Sequence, residues 1–303
     1  FWIAGPQWTG TAPAGVTVLR SSTNDVWMLG RIVVEGPADL AAAKALQDQI
    51  RIKPLFSTAP KPFGVKCTSS EDPANFLAVV NDMLARSPGG LGHMARSNNY
   101  TNVGIGAGVM PSDEMLAMWK AYLPKGIAKL KEKFLFRDLT VNGWGYQEPG
   151  VGEKDASDLL RSAIALGGLA ALPEAEAMYF QATMDGDNAD LSGANKYVWR
   201  VPPGGIPAEA FWSLTMYQVE ADGRFFLVEN PIRRYSVGDR TSGLVKNTDG
   251  SIDILIQHDQ PTGPLAANWL PAPAGAIRLS LRAYLPKKEL RDRAWKVPGV
   301  RKV

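Results

Sequence analysis

Three stretches near the C-terminal end alternate polar and apolar residues with a period of two. Their polar positions carry the side chains best suited to hold a ligand. In a strand, successive side chains point to opposite faces. In 211–217, Trp212, Leu214 and Met216 face one way, and Phe211, Ser213, Thr215 and Tyr217 the other. In 252–257, Ile252, Ile254 and Ile256 oppose Asp253, Leu255 and Gln257. In 277–284, Ile277, Leu279, Leu281 and Ala283 oppose Arg278, Ser280, Arg282 and Tyr284. Arg278 and Arg282 are therefore expected on one face, two pleats apart. Two like charges there call for an anion, which is either a protein carboxylate, with Asp253 first by pattern, or a ligand. Arginine forks, hydroxyls and tyrosine edges on a sheet suit a carboxylate or sugar-like molecule.

Tyr217, Arg278, Arg282 and Asp253 are thus candidate ligand-binding residues. The opposing reading is a face that is solvated or packed on another part of the chain. Two further candidates stand outside the alternation. Arg234 belongs to the polar cluster Arg233, Arg234, Tyr235, Asp239 and Arg240, where arginine–aspartate pairing could equally pin a loop. Trp269 lies in a stretch stiffened by Pro271 and Pro273, either lining a pocket or plugging the core.

Other chemistries find little footing, and no catalytic residue is assigned. His93 and His258 have no partner at helical metal-ligand spacing. Asp185-Gly-Asp-Asn-Ala-Asp190 is acidic, but an EF-hand loop wants an oxygen ligand at its fifth position and Gly at its sixth, where Ala189 and Asp190 stand. A turn is the better reading, and neither a metal nor a cofactor is expected. Gly90-Leu-Gly-His-Met-Ala95 follows a helix rather than a strand, so it is not a dinucleotide fingerprint. Cys67 is the only cysteine, which excludes an intrachain disulfide or a thiolate cluster and reads as an inert thiol.

The elements that must position these residues fall into three stretches. Residues 1–34 read as β, with strands at Val16 to Leu19 and Val26 to Val34, followed by a helix opened by Pro37. Leu40, Ala43, Leu46 and Ile50 share one face of that helix, and a Pro-rich linker covers about 54–70. The middle reads as helical. Asp72 caps a helix with Pro73 at its first position and Phe76, Val79, Val80, Met83 and Leu84 as its stripe. Ser112 caps a second helix, which Pro124 and Gly126 break, 154–171 form a third and Glu174 to Phe180 a fourth. After Asp185 come short strands, Tyr197–Val201, Ala210–Val219, Phe225–Glu229, Ile252–Gln257 and Ala276–Leu285, separated by Gly/Pro turns. The expected domains are 1–60, the end of an N-terminal β domain; 61–183, a helical middle; and 184–303, a β-sandwich.

The composition is that of a globular chain, 303 residues with 45% hydrophobic and 21% charged. The net charge of +3 is small, and the basic C-terminal cluster is interrupted by Glu289 and Asp292. A solvated tail is expected there rather than a nucleic-acid surface. No apolar run has the length of a membrane span. The chain opens at Phe1 with Phe-Trp-Ile, which reads as mid-strand. A processed N-terminus, and with it a periplasmic or secreted location, is one expectation, and a cytoplasmic location the other. A homo-oligomer stays open.

Five phrases carry a resemblance: Ala-Phe-Trp-Ser-Leu-Thr-Met-Tyr (210–217), Asn-Pro-Ile-Arg-Arg-Tyr-Ser-Val-Gly-Asp-Arg (230–240), Asp-Gly-Ser-Ile (249–252), Asn-Trp-Leu-Pro-Ala-Pro (268–273) and Arg-Ala-Tyr-Leu-Pro (282–286). In that order they resemble the bacterial domain of unknown function 1214. Gly-Pro-Gln-Trp-Thr-Gly (5–10) through Thr-Asn-Asp-Val-Trp-Met-Leu-Gly-Arg (23–31) looks like the end of its usual partner, domain of unknown function 1254. The resemblance implies a mainly β chain: a portion of an N-terminal β-sandwich, a helical middle and a C-terminal antiparallel jelly-roll β-sandwich. It implies no activity. The leading expectation is a β-sandwich that binds a small polar or anionic ligand. A hydrolase or lyase acting on such a ligand at the domain junction, and a structural or assembly module, are the alternatives.

Overall fold

In a computed structural model, residues 1–34, 36–55, 62–87 and 91–303 are described. Pro60, Pro88 and Gly90, and the side chain of His93, lie outside the described residues. The chain forms two compact units, Phe1–Lys125 and Gly126–Val303.

The first unit holds β1 (Trp2–Ala4) and β2 (Val18–Arg20), paired in parallel. The described residues therefore show a two-stranded sheet here and not the expected portion of a sandwich. Val26–Val34, expected as a strand, has no strand partner among the described residues, although it is rich in β-formers. Helix α1 (Leu40–Gln47) buries Ala43 alone from its expected apolar face. Helix α2 (Pro73–Arg86) starts as its sequence implies, with Pro73 at its first position and the Asp72 carboxylate accepting from Asn75 N at 3.1 Å. Its buried face is centred on Leu77 and Asn81 rather than on the expected stripe. Asn81 earns its burial: its amide donates to Gly104 O and Val109 O and accepts from Gly106 N, holding the glycine-rich loop 104–108. After α3 (Leu91–Asn98) comes α4 (Asp113–Phe134), capped by Ser112. Pro124 and Gly126 do not end α4. Proline removes only one hydrogen bond, and the helix runs through it to Phe134.

The second unit is built on two sheets. Its elements in order are β3 (Thr140–Val141), β4 (Trp144–Tyr146), α5 (Asp158–Gly167), β5 (Ala177–Ala182), β6 (Tyr197–Val201), β7 (Ala208–Val219), β8 (Phe225–Phe226), β9 (Ser236–Gly238), β10 (Ile252–Gln257), β11 (Trp269–Pro271), β12 (Ile277–Pro286), α6 (Lys288–Arg291) and β13 (Val300–Lys302). A curled antiparallel sheet runs β3-β4-β5-β12-β7-β8, with β9 also on β7. A four-stranded sheet runs β11-β10-β6-β13, with β10 and β11 parallel.

Their apolar faces meet in one core. Trp212, Leu214 and Met216 of β7 and Ile277, Leu279, Leu281 and Ala283 of β12 enter it, as their alternation predicts, beside Ile254, Ile256 and Trp199 from the other sheet. The edge of Trp199 meets Trp212 at 5.8 Å. The C-terminal segment is tied to this core: Trp144 and Trp199 both donate their indole N–H to Pro298 O, each at 2.8 Å.

Several expectations are corrected. About as many residues lie in helix as in strand, so the chain is mixed rather than mainly β. Helix 154–171 is shorter, running from the Ser157 cap to Gly167. Glu174 to Phe180 is not a helix: Ala177–Ala182 forms β5, which pairs with both β4 and β12. The helix-forming Glu and Ala residues there are overridden by tertiary context, since Met178, Phe180 and Ala182 reach the core only from a strand. The strand expected at Phe225–Glu229 shrinks to two residues.

Candidate functional site

The candidate site is the outer face of the curled sheet, opposite the core. Antiparallel register sets its rows. Phe211 faces Tyr284, Ser213 faces Arg282, Thr215 faces Ser280 and Tyr217 faces Arg278. On the other flank of β12, Arg282 faces Tyr179 and Ser280 faces Gln181. Tyr217, Arg278 and Arg282 are thus brought together, on the face the alternation assigned to them.

Arg282 reaches diagonally onto β7. Its Nη1 donates to Thr215 Oγ1 at 2.9 Å and its Nη2 to Tyr217 Oη at 3.0 Å. The half-buried guanidinium therefore lies beside the row that holds Arg278. Phe211 and Tyr284 stack at 4.3 Å, with Arg240 over the Phe211 ring, forming an aromatic step at one end.

Arg278 is covered: it is 4% exposed. Its Nε donates to Gln181 Oε1 at 3.0 Å, and Gln181 Nε2 donates on to Ser280 Oγ. Phe225 and Phe134 roof it, with ring centroids 4.3 and 5.0 Å from the guanidinium carbon. Two glycines let the Phe134 segment sit this close. A Cβ on Gly145 would meet Leu135 O and Phe136 O at 2.7 Å, and one on Gly167 would meet the Phe134 ring at 2.5 Å. Burial pushes the Arg278 guanidinium down to about 10; Tyr217 opposes that shift and Arg282 adds to it. Among the described residues, neither Arg278 nor Arg282 has a carboxylate partner.

The other candidates lie elsewhere. Asp253 is on β10, in the four-stranded sheet, where it faces Arg200 and takes a two-pronged ion pair from it at 2.7 and 2.8 Å. It cannot neutralise Arg278 or Arg282, because the register places it on a different sheet. Arg200 holds the Asp253 carboxyl below its ordinary range, against the effect of burial. Trp269 plugs rather than lines: it is buried and donates its indole N–H to Gln257 O. Arg234 pins the chain around Trp269 by donating to Ala267 O at 2.6 Å and Trp269 O at 3.0 Å, and burial lowers its pKa.

Asp185 heads a turn, its carboxylate accepting from Asp187 N and Ala189 N. A cavity of about 180 Å3 beside α5, lined by Glu153, Leu160, Arg161 and Ile164 among others, contains none of the expected site residues.

Four contributors were not foreseen. Tyr179 fell in the stretch read as helix and Gln181 just past its end, yet Met178, Phe180 and Ala182 against Tyr179 and Gln181 is a period-two signal. Phe134 and Phe225 belong to elements distant in sequence, and no local pattern announces their meeting.

The second unit is a two-sheet, mostly antiparallel structure whose curled sheet has a cationic, hydroxyl-rich outer face. Residues 176–288 match the family described as "Protein of unknown function (DUF1214)", and residues 1–54 match "Protein of unknown function (DUF1254)". The chain therefore joins a DUF1254 region to a DUF1214 region, the pairing its sequence phrases resemble.

Among solved structures, the VPA0106 protein from Vibrio parahaemolyticus is similar over 99% of this chain and 74% of its own, at 22% identity and a TM-score of 0.61, a likeness of fold alone. A putative uncharacterized protein from Burkholderia cenocepacia is similar over 69% of this chain and 47% of its own, at 14% identity and a TM-score of 0.31. No curated protein matches the chain significantly. Among the described residues, no helix is long and apolar enough to cross a membrane.

Proposed function

We propose that the two sheets of the second unit form a sandwich of jelly-roll type whose outer face binds a small anionic, polyhydroxylated molecule. The observation that carries this reading is Arg282. It is a half-buried guanidinium that, among the described residues, is bonded to the hydroxyls of Thr215 and Tyr217 and has no acid beside it. A structural arginine is normally paired when it is withdrawn from water. Here the hydroxyls orient the fork and leave its charge for a ligand. Ser213 and Tyr179 flank it, and the Phe211–Tyr284 step offers an apolar edge of the kind a sugar ring packs on. Binding is favoured over catalysis because, among the described residues, Arg278 and Arg282 have no carboxylate beside them to serve as an acid–base partner.

Thermal unfolding of the full chain with glucuronate, citrate or glucose tests the reading. Glucuronate should raise the Tm of the wild type and leave that of Arg282→Gln unchanged, with both proteins showing the same near-UV circular dichroism. An equal rise in Arg282→Gln, or no rise with any of the three, would overturn it.

A further inference from the structure

Arg278 is buried with one edge unsatisfied. Its Nε is used, but its Nη2 has no hydrogen-bond partner among the described residues. A guanidinium withdrawn from water without an acid is unfavourable, and ring contacts recover only part of that cost.

The cover over it is slight. Phe225 sits on a two-residue strand at the end of the β7–β8 hairpin and stacks on Phe134 at 6.2 Å with the rings 9° from parallel. Among the described residues, the tip of the hairpin is tied to the end of α4 by one exposed hydrogen bond, Lys131 Nζ to Asp222 O at 2.9 Å. Beneath this cover, Tyr217 stands between two cations, facing Arg278 across the strands and accepting from Arg282 at 3.0 Å.

We propose that Arg278 is the covered half of an oxyanion site, and that a phosphate, sulfate or carboxylate group on the ligand displaces Phe225 to lie between Arg278 Nη2 and Arg282. The inference rests on the outer face being a binding surface and narrows the ligand class. An oxyanion with two or more free oxygens can accept from both forks at once. A neutral sugar has nothing to exchange for the lost ring stack. In the closed state the roof lowers apparent affinity by the fraction of molecules that are open.

Titration calorimetry of the full chain with inorganic phosphate, repeated with glucuronate as the carboxylate probe, tests this. Phe225→Ala should tighten the Kd of at least one probe about tenfold relative to wild type by removing the closed state. Phe225→Ala/Arg278→Met should lose that gain. Lys131→Met, a change on the surface, should give a smaller gain in the same direction and serves if Phe225→Ala does not fold. An unchanged Kd in Phe225→Ala and Lys131→Met, or a gain that survives Arg278→Met, overturns the inference. If Arg282→Gln weakens binding while Phe225→Ala and Lys131→Met leave it unchanged, the wider reading of the face stands and the covered site fails; if Arg282→Gln binds as well as wild type, both fail. Absence of binding in every variant overturns both.

Discussion

The guanidinium carbon of Arg278 lies 4.3 Å from the centroid of Phe225, and no carboxylate among the described residues reaches it. A cation held under an aromatic ring instead of beside an acid is poor engineering for stability alone. The protein carries this cost near the start of β12, a strand whose other face is continuous apolar core.

Replacing that cation should therefore stabilise the fold. A pKa lowered from the ordinary arginine range to about 10 corresponds to roughly 3 kcal/mol against the charged form. Arg278→Met forfeits the bond to Gln181 and the two ring contacts, about 2 kcal/mol together. A net gain of about 1 kcal/mol is expected, read as a higher urea midpoint at neutral pH. The direction is consistent with linkage. A basic group whose folded pKa is depressed opposes folding at every pH below that pKa, so the penalty is fully present at neutrality. A midpoint lowered by Arg278→Met would show that the arginine is a structural brace.

Trp212→Ala should do the opposite, with a loss of about 3–5 kcal/mol. Trp212 is 4% exposed, and its ring meets Trp199 from the facing sheet. The cavity would open between two sheets whose backbones are held by their own ladders and cannot collapse into it. An unchanged denaturant midpoint would contradict the face assignment of β7.

The Asp253–Arg200 pair predicts a pH dependence. Arg200 depresses the Asp253 carboxyl, so the contribution is present above the ordinary carboxylate pKa of about 4 and fades as the pH falls through the lower folded value. Arg200 is half exposed, so solvent screening keeps the effect small. Asp253→Asn should leave a shallower loss of stability below about pH 4 than the wild type shows, measured by urea titrations across the acid range. Identical acid limbs would show that the pair contributes nothing.

How much of this was legible in advance depended on how local the cause was. The strands Tyr197–Val201 and Ile252–Gln257, the Asp72–Pro73 and Ser112 caps and the two faces of β7 and β12 follow from residues within a few positions of one another, and all are found. Alternation with period two is imposed by strand geometry itself, so Arg278 and Arg282 could be assigned to one face of their strand, and Tyr217 to the polar face of its own, without knowing what lay opposite. The phrases at 210–217 and 230–240 likewise sufficed to place the chain beside DUF1214.

Tertiary structure decided the rest, because it turned on which strand lies next to which. Asp253 alternates as the arginines do, but period two says nothing about sheet membership, and register placed it opposite Arg200 on the other sheet. Ala177–Ala182 has helix formers at its start and became a strand because β4 and β12 left a gap that only an extended backbone could fill with hydrogen bonds on both sides. The roof over Arg278 depends on Phe134 and Phe225, 91 positions apart in the chain, stacking above one guanidinium. A contact of that separation is set by the packing of the whole unit, and no window of sequence contains it.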